Sequence, residues 1–180
     1  MTPGETVLVQ GTGGVSIFAL QFARAGGAEV IATTSDAAKE KMLKDLGARH
    51  VLNYKVNENW GQMAKNLSVD GRGADYVVEI GGPTTMAQSC AASAIDGVIA
   101  VVGTRGGSSG DIAASHTTLS TVRRIMVGSR LQMEEMLRAI AVNGIKPVID
   151  SRVFKFSEVQ EAYKYLEDQK HVGKVVIDFV

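Results

Sequence analysis

Four consecutive residues, Gly11-Thr12-Gly13-Gly14, have the composition of an anion site, with Ser16 two positions on. They follow Thr6-Val7-Leu8-Val9-Gln10, a short apolar run rich in β-branched residues, and they precede a helical pattern. Gly11 lets the chain turn sharply, and Gly13 removes the side chain where a diphosphate would approach the backbone. A helix that begins there, with Gly14 and Val15 in its first turn, offers unpaired N–H groups and the positive end of its dipole to that anion. Strand, glycine turn and helix together make the first unit of a dinucleotide-binding sheet. A tight turn without a ligand would use the same glycines, and Ser16 stands where the fingerprint has its third glycine. Serine is still small enough for helix to lie near strand, and the flanking elements favour phosphate binding over the turn alone.

The second strand tells which dinucleotide. NAD-binding versions of this unit place an acidic residue at the strand tip, where it accepts hydrogen bonds from the ribose hydroxyls. Thr34 occupies that tip, with Thr33 and Ser35 beside it and Asp36 two positions beyond. Small hydroxyls leave room for a 2′-phosphate and can donate to it. Lys39 falls in the first turn of the next helix, where the dipole disfavours a cation unless an anionic ligand is close. A solvated lysine among Lys39, Lys41 and Lys44 is the plainer reading of Lys39 alone. Together with the missing acid it favours NADP(H) over NAD(H).

Self-contained catalytic groups are scarce. His50, His116 and His171 are far apart and none belongs to a metal-spaced pair, so each reads as a surface or strand-edge residue. Cys90 sits on an apolar helix face and reads as core. Tyr163 and Tyr165 lack a lysine four residues later, and Asp75 and Glu79 carry no mark of an acid/base pair.

These residues must be positioned by alternating apolar strands and amphipathic helices, the pattern of a parallel sheet covered on both faces. The expected strands after the first are Glu29–Thr33, His50–Tyr54, Asp75–Ile80, Val98–Val102 and Arg124–Gly128. The expected inward stripes are Val15, Phe18, Ala19, Phe22 and Ala23 on the first helix, then Ala38, Met42 and Leu46. Further on they are Trp60, Met63, Ala64 and Leu67 on a helix opened by Asn57, then Met86, Cys90 and Ala94, then Met133, Leu137, Ile140 and Ala141. Gly103 to Gly110 reads as a loop. Val148 to Phe156 reads as extended, Ser157 as the cap of a helix bearing Val159, Ala162, Tyr163 and Leu166, and Lys174 to Val180 as a last strand. A boundary near Asp150 divides residues 1–150, a nucleotide-binding domain, from a tail at 151–180.

With 180 residues the chain can bury a good core. Its 19 basic and 19 acidic residues cancel, which gives no global field for nucleic acid or an anionic membrane. No apolar run is long enough to span a bilayer, and the first residues lack the blocks of a signal peptide. One cysteine excludes an internal disulfide framework and a cysteine-cluster zinc site. A cytoplasmic setting is expected.

The segments GETVLVQGTGGVS, FARAGGAEVIATTS, KDLGARHVLNY, GADYVVEIGGP, GVIAVVG and HVGKVVIDF resemble the medium-chain dehydrogenase/reductase superfamily, in family order and over nearly the whole chain. The resemblance is to its zinc-type alcohol dehydrogenase and quinone oxidoreductase branches. It implies an α/β fold, a doubly wound, parallel six-stranded Rossmann sheet followed by a helix–strand tail. It implies that Lys39 and Tyr54 hold the 2′-phosphate of NADPH. By the same analogy Gly81, Gly82, Gly103, Thr104, Val127, Gly128 and Ser129 line the nicotinamide half. Family members carry a GroES-like catalytic domain, with the zinc ligands, ahead of this unit. On that comparison the chain is a piece of a longer protein, no zinc is expected in it, and the tail would return to the catalytic domain. Pairing across the sixth-strand edge implies a homodimer.

Two functions are open on these residues: the cofactor half of an NADPH-dependent oxidoreductase acting on a carbonyl, alcohol, quinone or enone, and a nucleotide-binding or interaction module without turnover. A methyltransferase shares the glycine turn but wants an acid where Thr34 stands.

Overall fold

Alternation along one strand decides the layering. In β1 (Thr6–Gln10) every residue is buried, and successive side chains point to opposite faces. Val7 and Val9 join a core with Leu20 and Ala23 of α1 (Gly14–Ala25), Leu43 of α2 (Glu40–Asp45), and Val30 and Ala32 of β2 (Glu29–Thr34). Leu8 points the other way. It packs with Trp60 and Ala64 of α3 (Trp60–Leu67), Met86 and Ala92 of α4 (Met86–Ala92), and Val77 of β4 (Ala74–Glu79). A strand covered on both faces needs apolar residues at every position, which is why the run reads as continuous.

The computed structural model describes residues 1–103 and 118–179. With β3 (His50–Asn53), β5 (Ser93–Val101) and β6 (Thr121–Arg124), the strands form a six-stranded parallel sheet in the order β3-β2-β1-β4-β5-β6. This is the expected doubly wound α/β sheet. The order reverses between β1 and β4, and the carboxyl ends of those two strands open onto a crevice. After α5 (Arg130–Asn143), the strands β7 (Ile149–Lys155) and β8 (Lys174–Asp178) pair in parallel around α6 (Val159–Glu167), with Phe154 and Ala162 buried between them.

Several faces differ from the sequence reading. On α1 the buried residues are Ser16, Ile17, Leu20 and Ala23, while Val15 is 48% exposed and Phe18 and Phe22 stack half-buried, ring centroids 6.2 Å apart. The helix is apolar almost all round, so spacing alone admits two stripes. The Ser16 hydroxyl, donating to the Gln10 carbonyl, fixes which one turns inward. In α2 the fully buried residue is Leu43, and Ala38 is exposed because residues 37–39 form a 3₁₀ turn capped by Asp36. The third helix begins at Trp60 rather than Asn57, with its expected face inward. Ala94 lies in β5, since the chain leaves α4 at Ser93; Ser89 takes the inner position beside Met86. The sixth strand ends at Arg124, where it was expected to begin, and no residue of α5 is buried. A 3₁₀ turn at Phe156–Glu158 leads into α6 without a cap from Ser157, and Tyr163 is exposed while Tyr165 packs 5.5 Å from Phe154. Residues 104–110 of the expected glycine-serine loop lie outside the described residues.

Leu20→Ala should lower stability by about 2–5 kcal/mol, the range for emptying a filled core site. Val15→Ala should change it by less than about 0.5 kcal/mol, as surface substitutions do. Urea unfolding of both variants checks the assignment, and equal losses would contradict it.

Candidate functional site

The carboxyl end of β1 runs directly into the glycine turn. Gly11 takes φ +73°, a left-handed conformation, and its N–H donates to the Thr33 carbonyl at 2.9 Å, tying the turn to the tip of β2. Gly13 is the N-cap of α1 and accepts from the Ile17 N–H at 3.0 Å. A Cβ built on Gly13 would meet no atom within 4 Å, so main chain stands bare toward open space. That space is a cavity of about 420 Å³.

Nine of the residues singled out from sequence line it: Gly11, Thr12 and Gly13 from the turn, Thr33, Thr34 and Ser35 from the β2 tip, then Lys39, Tyr54 and Gly81. Lys39 Nζ lies 3.5 Å from Thr12 Oγ1, and Tyr54 is 40% exposed at the rim. Thr34 Oγ1 accepts from the Asp36 N–H at 3.2 Å, which holds that tip closed. Among the described residues, no carboxylate lines it.

The other sequence-derived residues lie elsewhere. Gly14 is covered by the side chain of Lys174, whose Nζ is 2.6 Å from where a Cβ would stand. Val15 faces solvent. Gly82 is buried with φ +70°, and Gly103 has no room for a side chain because Ile80 O lies 2.4 Å from its Cβ position. Val127 is 91% exposed, and Gly128 adjoins Ser129, which caps α5 through reciprocal hydrogen bonds with Gln132. None of these lines the cavity. Thr104 lies outside the described residues.

Sequence reasoning missed Glu79, which is fully buried at the end of β4. Its carboxylate accepts from the N–H groups of Gly81 and Gly82 at 2.7 and 2.8 Å, from the hydroxyls of Thr85 and Ser89, and from Gln10 Nε2 at 2.9 Å. Gln10 Oε1 in turn accepts from the Ile80 N–H at 3.2 Å. This knot joins the ends of β1 and β4, the two strands that bound the crevice. A glutamine directly before the first glycine and a glutamate before Gly81-Gly82 were the available signals. Gln169 and His171 also line the cavity, from more than 150 residues downstream, and no local pattern marks them.

Asp150 holds the downstream segment. Its carboxylate accepts from the N–H groups of Arg152 and Val172 at 2.9 and 2.7 Å and from the Tyr165 hydroxyl at 3.2 Å. Burial pushes its pKa up, but those donors and nearby His171 outweigh it and hold the carboxyl below the usual carboxylate range. Burial, with the charge of Glu79, pushes the Cys90 thiol up, away from nucleophile chemistry. Among the described residues no three His, Cys, Asp or Glu side chains gather where they could hold a metal, and no helix is long and apolar enough to cross a membrane.

Comparison with known proteins accords with this geometry. Residues 14–142 match the zinc-binding dehydrogenase family. A zinc-type alcohol dehydrogenase-like protein of Schizosaccharomyces pombe is 41% identical over 97% of this chain and 52% of its own length. A solved NAD-dependent alcohol dehydrogenase superposes with TM-score 0.88 at 30% identity, over 99% of this chain and 52% of that one. A mycobacterial protein solved with NADPH gives TM-score 0.82 at 28% identity, over 98% and 57%. The chain thus spans about half the length of these relatives.

Because folding holds the Asp150 carboxyl below its ordinary value, ionised Asp150 favours the folded chain above that value, and the contribution fades as pH falls through the folded one. Asp150→Asn should lower the urea midpoint at pH 7, and the gap to the parent chain should close below about pH 4. A gap that stays constant down to pH 3 (roughly an unfolded carboxyl's own range) would contradict this.

Proposed function

Because the chain belongs to the zinc-binding dehydrogenase family of the medium-chain dehydrogenase/reductase superfamily, we propose that it is the NADPH-binding part of an oxidoreductase acting on a carbonyl, alcohol, quinone or enone. The observation that carries this is the single cavity onto which the glycine turn, the hydroxyl-bearing tip of β2, Lys39 and Tyr54 all open. The bound nicotinamide supplies the hydride chemistry, and the chain supplies position and electrostatics.

In this reading, bare main chain at Gly11 to Gly13 receives the diphosphate. Thr33, Thr34 and Ser35 surround the adenosine ribose, and the absence of a carboxylate there leaves space for a 2′-phosphate. Lys39 and Tyr54 hold that phosphate. The nicotinamide half runs past Gly81, Gly82, Gly103, Thr104, Val127, Gly128 and Ser129, beyond the carboxyl ends of β4, β5 and β6. Residues 1–150 form the cofactor domain, and 151–180 lead toward a catalytic domain that supplies the remaining wall of the substrate cleft. The described residues do not fit a zinc site, so no step is assigned to zinc.

NADPH should bind more tightly than NADH in a calorimetric titration. Lys39→Ala should cost NADPH about 1.5–3 kcal/mol, the scale of a charge-assisted hydrogen bond, and leave NADH nearly unchanged. Equal or reversed affinities would overturn the assignment.

We also infer a homodimer paired across β6. That strand is a sheet edge, and Ile125, Met126 and Val127 directly after it are exposed. Sedimentation at micromolar concentration should give a species of twice 19.1 kDa, and a 19.1 kDa species would overturn the inference.

A further inference from the structure

One buried acid stands behind the cavity wall without lining it. The Glu79 carboxylate accepts from three residues that do line it: Gln10 through Nε2 at 2.9 Å, Gly81 through its N–H at 2.7 Å and Thr85 through its hydroxyl at 2.5 Å. Its other donors are the Gly82 N–H at 2.8 Å and the Ser89 hydroxyl. Gly81 is right-handed at φ −82° and ψ −21°, and Gly82 is left-handed at φ +70°. That alternation aims two successive N–H groups at one point, the backbone geometry of an anion nest. The nest is filled from within, since both N–H groups meet the same oxygen, Glu79 Oε1.

The second oxygen fixes Gln10. Gln10 Nε2 donates to Glu79 Oε2 and, at 2.7 Å, to Ser89 Oγ, which leaves Gln10 Oε1 for the Ile80 N–H. Both polar atoms of the Gln10 side chain are therefore committed behind the wall. Gln10 leads directly into Gly11 and Ile80 directly into Gly81, so the carboxylate couples the glycine turn to the opposite lip. Burying a carboxylate is costly unless its donors are all in place, so the knot favours one spacing of the two lips.

Resting on the reading of this cavity as a dinucleotide site, we propose that Glu79 is a positioning residue for the dinucleotide. It fills the nest at Gly81-Gly82, which leaves the turn at Gly11 to Gly13 as the backbone open to a ligand anion. It also holds Gly81 at the spacing that the cofactor spans between β1 and β4. Acting from behind the wall, it reaches the cofactor through Gln10, Gly81 and Thr85. Among the described residues no donor to Glu79 comes from the β2 tip, so the 2′-phosphate end is outside its influence.

Calorimetry with NADPH, NADH and adenosine 2′-monophosphate, beside melting temperatures, separates positioning from stability. Glu79→Gln keeps the shape but sets an amide NH₂ among five donors, so they cannot all keep an acceptor. It should weaken both dinucleotides about tenfold or more, the scale of one buried donor left unpaired, and leave adenosine 2′-monophosphate within about twofold. Lost stability alone does not produce that selectivity. Ser89→Ala removes one donor and keeps the carboxylate, and it decides the matter where Glu79→Gln does not fold. It should weaken both dinucleotides about threefold or more with the same selectivity. Folded variants that bind both dinucleotides as the parent does, whatever their melting temperature, overturn this inference and leave the proposed function standing. Equal loss of all three ligands overturns it too, because the fault then lies in the fold as a whole. A parent that binds neither dinucleotide overturns both readings.

Discussion

The site depends on keeping a few residues of main chain bare at the point where the strand order reverses. Backbone N–H groups hold an anion only where no side chain stands between, and only if the turn that presents them keeps its shape without a ligand. Gly11 supplies the left-handed corner, and Gly13 supplies the gap, with no atom within 4 Å of a would-be Cβ. The surrounding structure acts to hold that corner. Ser16 anchors α1 to the carbonyl of Gln10, and the Gly11 N–H ties the turn to β2. On the opposite side Glu79 gathers five donors from β1, α4, the residue before α4 and the Gly81-Gly82 turn. A buried carboxylate so fully bonded sets the distance between the two lips of the crevice, since losing any partner would leave a buried polar group unsatisfied.

Electrostatics complete the picture. The net charge is zero, but the charges are not evenly spread: the first turn of α1 has no acidic residue, and Lys39 and Lys174 stand at Thr12 and Gly14. Acidic groups are present nearby but are engaged elsewhere: Glu79 with its donors, and Asp150 with the backbone of the segment that carries His171.

The sheet was legible because its strands are short apolar runs set off by glycines, and the turn was legible because glycine identity reports directly on backbone geometry. Helix faces were less so. In α1 nearly every residue is apolar, and a single serine hydroxyl, not periodicity, selects the buried stripe. Met133 and Leu137 of α5 keep helical spacing, yet each is 50% exposed, because spacing shows which face is apolar and not whether anything packs on it. Gln169, His171 and Lys174 reach the turn through a strand bridge from the far end of the chain. Contacts at that separation follow from topology, and no local pattern encodes them.

The most direct measurement is the affinity of Gly13→Val for NADPH beside its melting temperature. The protein leaves room for that side chain, so the fold should melt as the parent does while binding of NADPH and NADH disappears. Undiminished NADPH affinity in a well-folded Gly13→Val chain would contradict the account, since the diphosphate could not then lie against bare backbone at this turn.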